Sequence, residues 1–355
     1  MSRPRGWTRS PNRAARNISK TSSTASSDRM EPPRQVGTLN GAPLMRAVLD
    51  SGAMRVAILN LGCITQDWRV AQRGRDVPVV LGHADPMAYA GSSGFLGAVV
   101  GRVANRTGFG RFTLGGQEYA LPVNMPPHHL HGSLGTKLWS MEADSGAGAV
   151  RLSYTSPDGE DGYPGRVAFT VTITLKAPRL TYEFEATPDR ETPVNLAQHN
   201  YYNLMGGGDV YGHAVEIAAQ RYTPADATLL PTGEIAPVAG TRFDFTSARR
   251  LAEADPDRQG YDLNYVLDGG QPAATVRAPN GLTLRLTTDR PGLQFYTAGG
   301  LGAVDGGHEG QTIGPFAGLC LEPQGFPDAL NKPGFPPILC SPEAPYAQRL
   351  EVEVS

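Results

Sequence analysis

A hydrophobic period of two constrains this chain more than any other feature. Val167, Phe169, Val171, Ile173 and Leu175 alternate with Ala168, Thr170, Thr172 and Thr174. Leu180, Tyr182, Phe184 and Ala186 alternate with Thr181, Glu183, Glu185 and Thr187. Leu282, Leu284 and Leu286 repeat the pattern, and the chain ends on Leu350-Glu-Val-Glu-Val354. Successive side chains of an extended strand point to opposite faces, so the alternation buries one face and wets the other, as in antiparallel sheets. Lys176-Ala-Pro-Arg179 separates two of the runs and predicts a hairpin. Helical signals are few; Ser247 to Glu253 predicts two turns capped by Ser247. No βαβ rhythm, GxGxxG or GxxxxGK(S/T) occurs, which disfavours nucleotide folds, and no repeat of 20–50 residues marks a propeller or solenoid. The expected fold is all-β: large antiparallel sheets packed face to face as a sandwich, with few short helices.

Composition agrees. The 43 glycines and 30 prolines are about a fifth of the 355 residues, against ~12% on average. Both interrupt helices and favour turns. A net charge of −2 gives no reason to expect a nucleic-acid partner. No run approaches the ~20 apolar residues of a membrane helix, so no membrane partner is expected. The three cysteines, Cys63, Cys320 and Cys340, are odd in number and form no CxxC pair. Neither a disulfide framework nor a thiolate zinc site is supported, and a reducing, cytoplasmic location is expected.

Residues 1–34 differ from the rest. They hold eight basic and two acidic side chains, are rich in Ser and Thr, and nearly lack large apolar residues. Such a segment cannot bury enough surface to offset chain entropy, so a disordered tail is expected. Its composition is similar to an organelle transit peptide; the simpler reading is a solvated tail, or an extension upstream of a start at Met30. Residues 35–355 are expected to form a single domain.

Four segments break the alternation with residues that do chemistry. Gly101-Arg-Val-Ala-Asn-Arg-Thr107 sets Asn105 beside Arg106, an amide and a guanidinium suited to gripping hydroxyls; taken alone, a turn beside a solvated cation explains them equally well. Asn124-Met-Pro-Pro-His-His-Leu-His-Gly132 holds three of the seven histidines. A metal would be held by His129 and His131 on one side of a strand, but no Asp, Glu or Cys stands close by to complete a set. Catalytic, substrate-binding and structural roles stay open. Asn195 to Leu204 is too polar to bury without partners and fits a cleft, with His199 among Gln198, Asn200 and two tyrosines. Glu322 follows an apolar strand, Ala317 to Leu321, and is either a surface residue or a base in a partly dry site. Together these groups suit proton transfer on a polyhydroxylated molecule.

The segments GRVANR (101–106), PVN and PPHHLHG (within 122–132), SPDGEDGYPG (156–165), QHNYYNL (198–204), GYDLNY (260–265), GLQFYT (292–297) and LEPQGFPDALNKPGFPP (321–337) occur in the order seen in aldose 1-epimerases (mutarotases). The chain resembles that family over roughly residues 40–355. The resemblance implies a galactose mutarotase-like β-supersandwich with one open cleft for a monosaccharide. It implies interconversion of the α and β anomers of a free hexose of galactose or glucose type. Glu322 matches the base that takes the anomeric proton, His199 the acid that protonates the ring oxygen, and His131 the second histidine near that oxygen. Asp262 matches a carboxylate that orients hydroxyls, and Asn105, Arg106 and Gln294 match sugar contacts. No metal or organic cofactor is implied, and a monomer or weak homodimer is expected. The chain departs from the family at Leu130-His-Gly-Ser-Leu-Gly-Thr-Lys-Leu-Trp139, which lacks the usual acidic residue, at Gln198 where Asn is usual, and at Leu263 where a polar residue is common. These departures bear on sugar preference. A less common sugar, or a non-catalytic sugar-binding protein on the same fold, is the alternative; keeping both Glu322 and His199 argues against mere binding.

Overall fold

The alternating runs become long paired strands in the computed structural model, which describes residues 29–92 and 94–355. Val167–Lys176 and Arg179–Pro188 pair antiparallel from Val167↔Pro188 to Lys176↔Arg179, with Ala177 and Pro178 as the predicted hairpin. Phe169, Val171, Ile173, Tyr182 and Phe184 are buried, while the residues between them reach or approach solvent. This hairpin lies inside a nine-stranded sheet. Its order is Ser140–Asp144, Ala149–Ser156, Val167–Lys176, Arg179–Pro188, Tyr346–Val354, Thr283–Thr288, Ala274–Arg277, Ala214–Ile217 and Arg249–Arg250. The last strand of the chain thus sits near the middle of the sheet, between partners more than fifty residues away.

Two further sheets face it. One is a meander of β1 (Arg29–Leu39), β2 (Ala42–Asp50), β3 (Met54–Leu59), β4 (Thr65–Gln72) and β5 (Arg75–Pro78). The other has six strands, ordered Tyr201–Tyr202, Leu319–Gln324, Gly292–Tyr296, Asp262–Val266, Arg221–Thr223 and Ala236–Pro237. One apolar cluster joins all three: Val56, Ile58 and Trp68 from the meander, Val171, Ile173 and Phe184 from the large sheet, and Leu293, Phe295, Leu319 and Leu321 from the six-stranded one. Each such side chain stabilises the fold by about 1.5–3 kcal/mol when fully buried. Among the described residues, no helix is long and apolar enough to cross a membrane.

Two expectations are corrected. β1 begins at Arg29, is paired with β2 from Arg29↔Asp50 to Leu39↔Ala42, and packs Met30 against the core. The tail boundary at residue 34 therefore falls inside a strand, and Arg29 to Arg34 belong to the sheet. The sequence hid this because Arg29 to Arg34 share the basic, apolar-poor composition of the residues before them. An edge strand tolerates proline, whose missing N–H costs nothing on the unpaired side, and the pairing register shifts between Glu31 and Arg34 to pass Pro32 and Pro33. Residues 1–28 lie outside the described residues. The expected helix capped by Ser247 shrinks to one turn, α1 (Leu251–Ala254), with no side-chain cap, because Arg249 and Arg250 are taken up as an edge strand against Ala214 and Val215.

Candidate active site

The six-stranded sheet has one face in the core, and its period of two sends the alternate residues the other way. Leu293, Phe295, Leu319 and Leu321 face inward, so Gln294, Tyr296, Cys320 and Glu322 share the opposite face. Register aligns them across strands: Gln294 lies opposite Glu322, while Asp262, Tyr296, Cys320 and Tyr201 form the adjoining row. This face is the floor of a cleft of about 850 Å³. All seven residues singled out from the sequence, Asn105, Arg106, His131, His199, Asp262, Gln294 and Glu322, line it. Glu322 lies within its strand, Leu319–Gln324, rather than at the end of one, and is fully buried.

Loops bring in the remaining groups, and buried anchors hold the loops. Arg102 donates to Ser156 Oγ and to the carbonyl oxygens of Ser156, Pro157, Pro164 and Gly165, at 2.6 to 3.4 Å. The SPDGEDGYPG segment is thereby tied beneath the Gly101–Arg106 loop and contributes support rather than chemistry. His131 follows the short strand His129–Leu130 and has a φ of 62°. Gly132 lies against Gly101, with its N–Cα–C backbone so close that an added Cβ would meet Gly101 O at 2.1 Å. Only glycine permits that approach, which presses the His131 turn onto the Asn105 loop.

The expectation that His129 and His131 share a side fails for this reason. His131 has left the strand, whereas His129 bonds Pro122 O through Nδ1 at 2.6 Å and packs edge-on against Tyr163. His128 and His213 likewise spend their ring nitrogens on the fold, on Phe109 N and Thr228 Oγ1 and on Leu204 N and Val210 O.

Within the cleft, His199 Nε2 lies 3.7 Å from Glu322 Oε1. The His131 and His199 rings meet edge to face at 5.2 Å, and His199 stacks on Tyr201 at 5.0 Å and on Phe95 at 6.0 Å. Asp262 accepts from Gln294 Nε2 at 2.5 Å and faces Arg106 Nη2 at 3.6 Å. Gln294 Oε1 and Glu322 Oε2 are buried with no protein partner, which leaves each able to engage a ligand hydroxyl. Burial pushes the Glu322 carboxyl well up, and the Asp262 charge adds to the shift against Arg106. Burial brings the His199 imidazole down to about 4. It also lowers His131 strongly, with His199 and Arg106 adding to the effect. Burial raises Asp262 despite Arg106 and Gln294. A carboxylate with a raised pKa is a stronger base and an imidazolium with a lowered pKa a stronger acid, so this pair is tuned to exchange protons with a weakly acidic hydroxyl.

His131, His199 and Glu322 also place potential ligand atoms within 4.8 Å of one another, the one such group among the described residues. The tautomer of His131 decides how they would meet a cation. Its Nδ1 accepts the Asn105 backbone N–H at 3.1 Å, so the neutral ring carries its proton on Nε2. A ligating imidazole needs that nitrogen bare and the other protonated. The group is left with two ready ligands, fewer than the three protein donors of a catalytic zinc site.

Some residues of the polar run point elsewhere. Gln198, Asn200 and Tyr202 alternate with His199 and Tyr201, so they face away from the cleft and form a buried network with Thr65 and Tyr182. Phe95 and Tyr296 were not foreseen as lining residues. Tyr296 was legible in principle, two residues after Gln294 on the same face. Phe95, at φ 57°, had no local signal.

The aldose 1-epimerase family model matches residues 45–353. The galactose mutarotase of Rattus norvegicus is 41% identical over 318 residues, covering 86% of this chain and 92% of that protein. The aldose 1-epimerase of Escherichia coli K12 is 33% identical over 329 residues, covering 87% and 91%. The crystal structure of galactose 1-epimerase from Lactobacillus acidophilus superposes with a TM-score of 0.82 at 27% identity, covering 93% of this chain and 99% of that one.

Proposed function

The chain belongs to the aldose 1-epimerase family, and from that premise we propose that Glu322 and His199 are the base and acid that interconvert the α and β anomers of a free hexose of galactose or glucose type. The enzyme is an isomerase of that class. Glu322 takes the proton of the anomeric hydroxyl as its C–O bond becomes a carbonyl. The bond between the anomeric carbon and the ring oxygen breaks, and His199 Nε2, which has first received the pair's single proton from Glu322 3.7 Å away, protonates that oxygen. The open aldehyde turns about C1–C2 and closes on its other face with both transfers reversed. No net proton is consumed.

The separation of His199 Nε2 and Glu322 Oε1, 3.7 Å, carries this reading. The two oxygens they serve are bonded to one carbon, so the groups that exchange protons with them must themselves be close. His131, fixed with its proton on Nε2 by Asn105 N–H, is a standing donor to the ring oxygen or its neighbour. Asp262, Arg106, Gln294 and Asn105 grip the remaining hydroxyls, and Phe95, Tyr201 and Tyr296 offer ring faces to the sugar's C–H surface. The three free, buried cysteines suit a reducing, cytoplasmic location. A coupled mutarotation assay on freshly dissolved anomers of a panel of aldoses tests the proposal. Acceleration should be lost in His199→Asn; acceleration of no sugar by the native protein would overturn the assignment.

A further inference from the structure

We infer that the two cleft histidines are held in opposite tautomers, and that Cys320 is the positioning residue that keeps His199 in the form able to cycle a proton. This rests on His199 being the acid, as proposed above. Cys320 and Glu322 are two residues apart on Leu319–Gln324, so they project from one face. The His199 imidazole lies over both, with Nδ1 3.6 Å from Cys320 Sγ and Nε2 3.7 Å from Glu322 Oε1.

The chemistry dictates which nitrogen must hold the remaining proton. Once His199 has protonated the ring oxygen through Nε2, the ring is neutral and carries a single N–H. At reclosure Nε2 must take a proton back from the hydroxyl, so it has to be bare and Nδ1 must be protonated. A backbone N–H aimed at Nδ1 would forbid this state; that is the situation of His131, whose Nδ1 accepts Asn105 N–H. At His199 the neighbour of Nδ1 is a thiol, which can donate or accept; the reclosure step selects the accepting role, and the residue's own backbone adds a hydrogen bond that favours the protonated ring. The stacked rings of Tyr201 and Phe95 keep the imidazole in plane over the thiol.

A weak acceptor suits the task. A carboxylate at this position would stabilise the imidazolium and slow its release of the proton. The Cys320 thiol is buried and pushed well above its ordinary value, with the charges of Glu322 and Asp262 adding to the shift and a Tyr201 hydrogen bond opposing it, so it stays uncharged. His131 then acts as a fixed donor and His199 as the shuttle, a division of labour set by what each Nδ1 meets.

Side-chain ¹⁵N–¹H correlation spectra of the labelled native protein test the first part. His199 should show the Nδ1–H pattern and His131 the Nε2–H pattern; His199 as Nε2–H would overturn the inference whatever the variants do. In Cys320→Ala, His199 should move toward the Nε2–H form and kcat should fall about tenfold at unchanged KM, the mark of an interaction used in the transition state. Cys320→Ser, which keeps an acceptor, should recover most of the loss. A folded Cys320→Ala with native kcat and native tautomer would refute the role of Cys320. Native turnover in His199→Asn would instead remove the acid assignment, which separates the two failures.

Discussion

Replacing Glu322 by Gln keeps the size and shape of the side chain and removes its capacity to take a proton. The residue is fully buried, its Oε1 faces His199 at 3.7 Å, and its Oε2 has no protein partner. A positioned general base contributes about 10²–10⁴-fold, or about 3–5 kcal/mol at ~1.36 kcal/mol per decade. Turnover in Glu322→Gln should fall by at least about a hundredfold. Stability should move the opposite way. In the unfolded chain a glutamate loses its proton near ~4.3, whereas in the fold burial holds the proton to a much higher pH. Such a group favours folding fully at low pH and loses that contribution as pH rises from the unfolded value through the raised folded one. The amide carries no such penalty. Glu322→Gln should therefore melt higher than the native protein at pH 7, and the difference should vanish near pH 4. Polarimetry on a fresh α-anomer gives the rate and calorimetry at the two pH values gives the stability. A folded variant with a near-native rate would refute the role of Glu322, and a variant that melts lower at pH 7 would refute the account of its burial.

Four further outcomes follow from the same geometry. Because His199 stays neutral down to about 4 and Glu322 is pushed up, the pair holds one proton over a wide range; kcat/KM should keep its plateau below pH 6 and fall only near pH 4, and an acid limb centred near 6.5 would contradict this. His199 and His213 are both lowered to about 4 by burial, so the fold resists protonating them while the unfolded chain does not; in Glu322→Gln, where the opposing buried carboxyl is gone, stability by urea titration should decline as pH falls from 6.5 toward 4. Gly132→Ala introduces a Cβ 2.1 Å from Gly101 O at a φ of 60°, and should cost about 1–3 kcal/mol and reduce turnover by displacing His131; a stable, fully active variant would show that the turn has room. Arg102→Met removes a donor from four carbonyls and a hydroxyl, of which Pro157 O and Pro164 O keep Glu160 N and Thr192 Oγ1; each group left unpaired and buried costs about 1–3 kcal/mol, and the substitution should lower the urea midpoint more than any exposed arginine substitution.

The period of two determined a great deal unaided. It fixed the strands Val167–Lys176 and Arg179–Pro188 and their hairpin, whereas Glu322, read as following a strand, lies inside one and so shares a face with Gln294, opposite Phe295 and Leu321. Side-chain alternation is a local property of extended backbone, so it needs no knowledge of the rest of the chain. The family motifs supplied seven of the residues that line the cleft. What the tertiary structure alone decided is where alternation stops. His131 leaves its strand at a left-handed residue, so it parts from His129 and joins His199, sixty-eight residues on. Within the QHNYYNL segment every second residue turns away to a network with Thr65 and Tyr182, so composition overstated the number of polar groups in the cleft. β1 runs through Pro32-Pro33 because an edge has bonds to spare. The state of each histidine depends on whether an N–H or a sulfur stands beside Nδ1. Those neighbours come from distant strands and loops, and only packing brings them within reach.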